Sequence, residues 1–283
     1  MSNQQIKQEK NVHSLRSDCS QCFGLCCVAL PFAKSADFAI DKEAGTPCRN
    51  LQSDFRCGIH KNLRKEGFRG CVGYECFGAG QKVSQVTYLG NNWREQPAIA
   101  REIYEVFPIV QQLHEMLCYL NEALSLDDTQ PIHEKLKYSI EETEKLTYLS
   151  PRLILEVDVP THRASVNELL LQTSELARNK VLNRKEVKRK DFLGAKLKGA
   201  DLRGANLRGA LLIAADLRNA DLRVADLIGA DLRDADLRGA NLTGSLFLTQ
   251  AQINSANGGL TTKLPAGLYI PDHWMEDELK VEE

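Results

Sequence analysis

At 283 residues the chain can hold two or three domains, and 43% hydrophobic with 26% charged residues is ordinary for a globular protein. A formal charge of −2 excludes wholesale nucleic-acid binding by net charge and an acidic-tail protein alike, so partners are sought in local patches. The first eighteen residues are polar and no later run approaches the ~18 apolar residues of a membrane span, so a cytoplasmic protein with no membrane partner is expected.

Residues 1–90 are rich in Cys, Gly and Pro and keep neither a helical nor an alternating period, which predicts a small, irregular, ligand-stapled domain. Eight of the nine cysteines lie between Cys19 and Cys76. In a reducing compartment such a cluster more often binds metal than forms disulfides; in an exported protein disulfides would be the reading. The spacing is Cys19-x2-Cys22-x3-Cys26-Cys27, then Cys48, Cys57, Cys71 and Cys76. A C-x2-C pair brings two thiolates to one ion across a tight turn whose amides also solvate the sulfurs. Adjacent Cys26 and Cys27 do not easily face one ion, which leaves two neighbouring metals, or one ligand and one buried thiol. All eight are candidate metal ligands, with His60, at C-x2-H spacing from Cys57, as an extra one. Any single thiol could instead be a buried apolar side chain.

This pattern resembles the CxxCxxCC family of zinc- or iron-chelating domains, which includes bacterial flagellin N-methylase. The resemblance covers residues 19–76: the opening cluster, Pro47-Cys48 with Leu51, Phe55-Arg56-Cys57-Gly58-Ile59-His60, and Cys71. The chain departs from it in having three residues, not two, before Cys26-Cys27. The resemblance implies zinc or iron as cofactor, an iron–sulfur cluster included, since sulfur-rich tetrahedral donors suit both. A zone this short with few large apolar side chains needs such a ligand to offset its conformational entropy. No GxGxxG fingerprint, phosphate loop or Ser-His-Asp set accompanies it, so no catalytic residue is assigned.

Residues 91–185 read as a helical region. Ile99, Ile103, Val106, Val110, Leu113, Leu117 and Leu120 recur at three- and four-residue steps, one face of a helix that Pro108 should kink or break. A second helix is expected over 132–149. A third should begin at Ser165, which has capping-box spacing to Glu168. His114 and His133 lack a second ligand at matching spacing and read as structural or solvated. From Arg184 to Lys190, five of seven residues are basic (Arg184, Lys185, Lys188, Arg189 and Lys190). Without interleaved aromatics this run reads as a solvated linker and not a nucleic-acid site.

Residues 186–283 form the last zone, with a core at 191–248. From Phe192 a large apolar residue recurs every five positions, through Leu197, Leu202, Leu207 and on to Leu242 and Phe247; alanine stands two residues before each from Ala195 to Ala240. Period five fits neither 3.6 nor 2. A chain turning a corner every five residues explains both columns, with Gly194, Gly199, Gly204, Gly209, Gly229, Gly239 and Gly244 at the turns. These residues resemble the pentapeptide-repeat family, Ala-(Asp/Asn)-Leu-x-x. That implies a right-handed quadrilateral β-helix of twenty residues per coil, three coils from twelve pentads, about 15 Å long at the strand spacing. Arg203 should then stack with Arg223 and Asp201 with Asp221, oppositely charged columns lying side by side. Leu264, Leu268, Ile270 and Trp274 are candidates for the end cap. Outward Leu193, Leu211 and Ile213 should pack on the helical zone.

The expected fold class is therefore mixed: an irregular Cys-rich metal-binding domain, an α-helical middle and a pentapeptide-repeat β-helical solenoid. The expected role is a protein-binding or scaffold module that chelates zinc or iron, its partner another protein on the solenoid face. The alternative is an iron–sulfur-dependent protein-modifying enzyme, flagellin N-methylase-like, whose solenoid docks the target. A lesser one is a gyrase-protecting DNA mimic or antibiotic-resistance factor, as some pentapeptide-repeat proteins are. Nine Lys and Arg against eight Asp between residues 190 and 250 speak against mimicry of an acidic polymer.

Overall fold

The computed structural model describes residues 14–182, 187 and 189–279, so Arg184, Lys185 and Lys188 of the basic run lie outside the described residues. The chain divides into two compact units. One runs to Leu171 apart from residues 72–74, and the other takes those three and Gln172 onward.

In the first unit, the Cys-rich segment holds only short helical pieces, α1 (Leu25–Ala29) among them, between loops and turns, and packs on the long α2 (Pro97–Ser125). Ile103, Val106, Val110, Leu113, Leu117 and Leu120 are buried as their spacing predicts, and Phe107, Met116 and Ala123 widen the buried face. The expected break at Pro108 does not occur: α2 runs through it without interruption. Buried Val106 and Phe107 before it and Val110 and Leu113 after it hold both halves to one core, and tertiary packing outweighs the missing N–H. A 3-10 turn (Asp127–Ile132) leads into α3 (His133–Thr147), followed by α4 (Pro151–Leu155) and α5 (Val159–Arg178).

The expected start of that last helix at Ser165 is also corrected. The Asp158 carboxylate accepts from the Thr161 backbone N–H (3.1 Å) and hydroxyl (2.7 Å), and Pro160 occupies the first turn, so capping occurs seven residues earlier. Ser165 sits inside the helix, donating to the His162 carbonyl at 2.8 Å.

In the second unit the pentads stack in a twenty-residue register, with Asp191 bridged to Leu211, Leu211 to Asp231, and Asp201 to Asp221. The expected quadrilateral β-helix is nevertheless corrected, because among the described residues there is no β-strand, only isolated parallel bridges. The pentad explains why. Ala205 N–H donates to the Leu202 carbonyl (3.0 Å) across Arg203-Gly204, and Gly204 has φ +60°. Every fifth residue from Gly194 to Gly244 has positive φ, including Ala214, Asn219, Val224 and Asp234. A left-handed residue in each pentad leaves too few extended residues in a row for a strand.

Between coils, Leu202 N–H donates to the Asp221 carbonyl and Asp221 N–H to the Ala200 carbonyl. The leucine and alanine columns form one continuous buried core. At the far end the register slips, Asp236 pairing with Asn257 and Asn241 with Lys263, because α6 (Gln250–Ser255) replaces a turn of the coil. Trp274, on α7 (Asp272–Leu279), closes this end fully buried, with Leu264, Leu268 and Ile270 against the same core. Leu193 and Leu211 project outward from the pentad stack.

Candidate metal centre

The eight early cysteines sort into two groups. Cys19 opens a 3-10 turn (Cys19–Gln21) and Cys22 follows it; the turn is capped by Asp18, whose carboxylate accepts from Ser20 N–H. A helical turn (Ala79–Gln81) continuing into a π-helical turn (Lys82–Thr87) clasps this loop. Gln81 Nε2 donates to the Arg16 carbonyl (2.7 Å), the Ser84 hydroxyl accepts from Phe23 N–H (3.0 Å), and Gln85 Nε2 donates to the Gln21 carbonyl (2.8 Å). Trp93 Nε1 donates to the Phe23 carbonyl (2.8 Å). Gly80 lies against the thiols: a Cβ there would stand 2.7 Å from Cys22 Sγ and 3.8 Å from Cys76 Sγ. Cys76 Sγ is 3.0 Å from the Ser17 hydroxyl, which donates to the Glu75 carboxylate, while Phe77 N–H donates to that carboxylate at 3.1 Å.

The second group starts on α1. Cys27 O accepts from Cys48 N–H at 2.9 Å, and an isolated bridge pairs Leu51 with Cys57. Side-chain hydrogen bonding among Cys57, Cys27 and Cys26, together with burial, holds Cys57 and Cys27 far above the ordinary thiol range. Cys71 is pushed up to about 11 chiefly by burial, with Cys48 and Cys57 adding to the shift. Cys22 is pushed up to about 11 by burial, and its thiol neighbours are Cys76 and Cys19.

The Lys42 ammonium, 7% exposed, sits beside the second group. It donates to the carbonyls of Val28 (3.1 Å), Glu43 (3.1 Å) and Thr46 (2.9 Å). Burial lowers its proton affinity, while Cys48, Cys27, Cys26 and Cys71 act in the opposite direction. A buried ammonium among thiols is suited to balancing thiolate charge.

Among the described residues no three His, Cys, Asp or Glu side chains stand, as placed, in an arrangement that would hold a metal ion. His60 begins an exposed 3-10 turn after Cys57. Cys118 lies on α2, its thiol pushed up to about 12, chiefly by burial, with Glu122 and Glu75 among the charges acting on it. His114 is buried, its ring Nδ1 2.7 Å from the Phe77 carbonyl, and His133 Nε2 is 3.1 Å from the Thr129 hydroxyl. Sequence reasoning missed Lys42, Glu75 and Ser17. The last two adjoin Cys76 and Asp18-Cys19 in the chain, a signal that was there to be used; Lys42 carries none.

Comparison with known proteins places the chain. The family described as pentapeptide repeats matches residues 191–225 and 205–244, with eight copies. The uncharacterized protein YybG of Bacillus subtilis (strain 168) is 62% identical over 275 residues, 95% of this chain and 99% of the relative. The chain belongs to the YybG family of pentapeptide-repeat proteins. Members of such a family share the Cys-rich segment only as far as the alignment runs, and at 95% coverage the match extends well beyond the repeats. No helix among the described residues is long and apolar enough to cross a membrane.

Proposed function

We propose that this protein chelates zinc or iron through Cys19, Cys22, Cys26, Cys27, Cys48, Cys57, Cys71 and Cys76, and presents its pentad stack to a partner protein. The observation that supports the metal reading is the gathering of four thiols from three separate stretches of chain, Cys26-Cys27, Cys48 and Cys71, near a buried ammonium, Lys42. The donor chemistry fits a thiophilic ion. Binding would replace the Cys57 to Cys27 to Cys26 hydrogen bonds with metal–sulfur bonds, releasing the protons that now hold those thiols neutral. When bound, the ion supplies a cross-link that the small apolar content of the segment does not.

The stack surface supports a protein partner over nucleic-acid mimicry. Asp201, Asp216, Asp221, Asp231 and Asp236 are each paired with the arginine two residues on, at 2.5 to 2.8 Å. Charge cancelled pair by pair projects no negative field. Purification without air or chelator, followed by elemental analysis and an absorption spectrum, tests the metal reading. At least one zinc or iron per chain is expected; metal near zero with all eight thiols reactive would sink it.

A further inference from the structure

Resting on the partner-protein half of that reading, we infer that the first coil of the pentad stack takes up an extended, acidic segment of the partner, paired with the backbone of Lys196 and Lys198. Taken by itself, the second unit is closed at one end by Trp274, whereas at the other the bridges among the described residues begin with the coil 191–210. Ala215, Leu217 and Ala220 in the second coil are buried; their first-coil counterparts Ala195, Leu197 and Ala200 are only partly so.

The register identifies the backbone groups at this end. In the second coil Asp216 N–H donates to the Ala195 carbonyl (2.9 Å), and the Asp216 and Arg218 carbonyls accept from Leu197 N–H and Gly199 N–H (both 2.8 Å). All three groups face the first coil. Twenty residues earlier the same positions are the Lys196 N–H and the carbonyls of Lys196 and Lys198, which face away from the second coil. No hydrogen bond from a described residue reaches them. At Asn206 the chain covers its own edge, since Lys190 Nζ donates to the Asn206 carbonyl at 2.8 Å. An unpaired edge is a template for another extended segment.

Side chains set the sign of that segment. In this column the second and third coils carry the ion pairs Asp216–Arg218 and Asp236–Arg238. The first coil has Lys196 and Lys198 there, both exposed and in no ion pair among the described residues. Six Lys and Arg stand against two Asp between residues 189 and 210, but four Arg against six Asp between 211 and 250. The positive excess is therefore local to the open end, and a second copy meeting it head to head would be repelled. Two of the three open backbone groups are acceptors, which the N–H groups of a peptide satisfy and the phosphates of a nucleic acid do not.

Titration of the full-length protein with a fluorescent peptide of alternating Glu and Val tests this, beside the same peptide with Lys for Glu and one N-methylated along its backbone. The acidic peptide should bind, more weakly as salt rises. The Lys and N-methylated peptides should each bind at least about tenfold more weakly, the first by repulsion and the second by loss of its donors. Lys196→Asp with Lys198→Arg writes the second coil's pair into the first; it should keep the wild-type circular dichroism and lose acidic-peptide binding by a similar factor. Equal binding of the three peptides, equal binding by wild type and this double variant, or tighter binding of single-stranded DNA than of the acidic peptide overturns the edge assignment. A protein retained from cell extract equally by both forms, with no peptide bound, overturns the edge and spares the partner reading. Neither peptide nor protein retained by wild type overturns both.

Discussion

Leu217 and Arg218 are neighbours in the middle coil with opposite fates. Leu217 is fully buried in the leucine column; Arg218 reaches outward to Asp216 at 2.7 Å, a hydrogen bond that draws the Asp216 carboxyl down to about 2. Leu217→Ala should cost about 2 to 5 kcal/mol as a core truncation, and Arg218→Ala much less, because an exposed pair is screened. Urea denaturation midpoints check this, and equal losses would contradict the register. The turn column gives a second contrast. Gly229 (φ +64°) would place a Cβ in open space, so Gly229→Ala isolates backbone strain and should cost about 1 to 2 kcal/mol. Val224 already pays that strain at φ +57°, and Val224→Gly should stabilise by up to about 1 kcal/mol; thermal midpoints moving in the same direction for both would argue against it.

At the scale of elements, α2 reaches the Cys-rich segment through His114, which is 4% exposed and paired with the Phe77 carbonyl. Burial lowers its proton affinity, to a pKa of about 4 against an ordinary 6.5. Between these values the unfolded chain binds a proton that the folded chain refuses, so stability is complete above pH 6.5 and is lost as the pH falls toward 4. The loss should be on the order of 3 kcal/mol in the first unit. His114→Gln, which retains an amide donor for Phe77, should flatten this acid limb; an unchanged slope of stability against pH between 6.5 and 4 would count against the assignment.

For the molecule as a whole, two compact units predict two responses to chelator. If the cysteines bind metal, EDTA should raise the number of titratable thiols and open the chain near Cys48 to protease. The circular dichroism of the pentad unit should stay largely intact, since its core is leucine and alanine and contains no cysteine. Loss of both units in one transition on chelation would show that they do not respond separately.

The sequence alone determined the pentad core. A period of five with leucine and alanine in fixed columns admits one inward-facing register, and the burial of Leu207 to Leu242 follows from it. The face of α2 was legible for the same reason, a period that burial must obey. What the chain did not disclose was decided by contacts between distant residues. A left-handed residue in every pentad replaces strands by single bridges. Packing on both sides of Pro108 carries α2 through it, and Asp158 starts α5 ahead of the more conspicuous Ser165. In the cysteine segment, spacing named the thiols but not their grouping. Lys42, Gly80 and Glu75 meet them only after the loops close, since proximity between residues tens of positions apart is set by the tertiary fold and leaves no period in the chain.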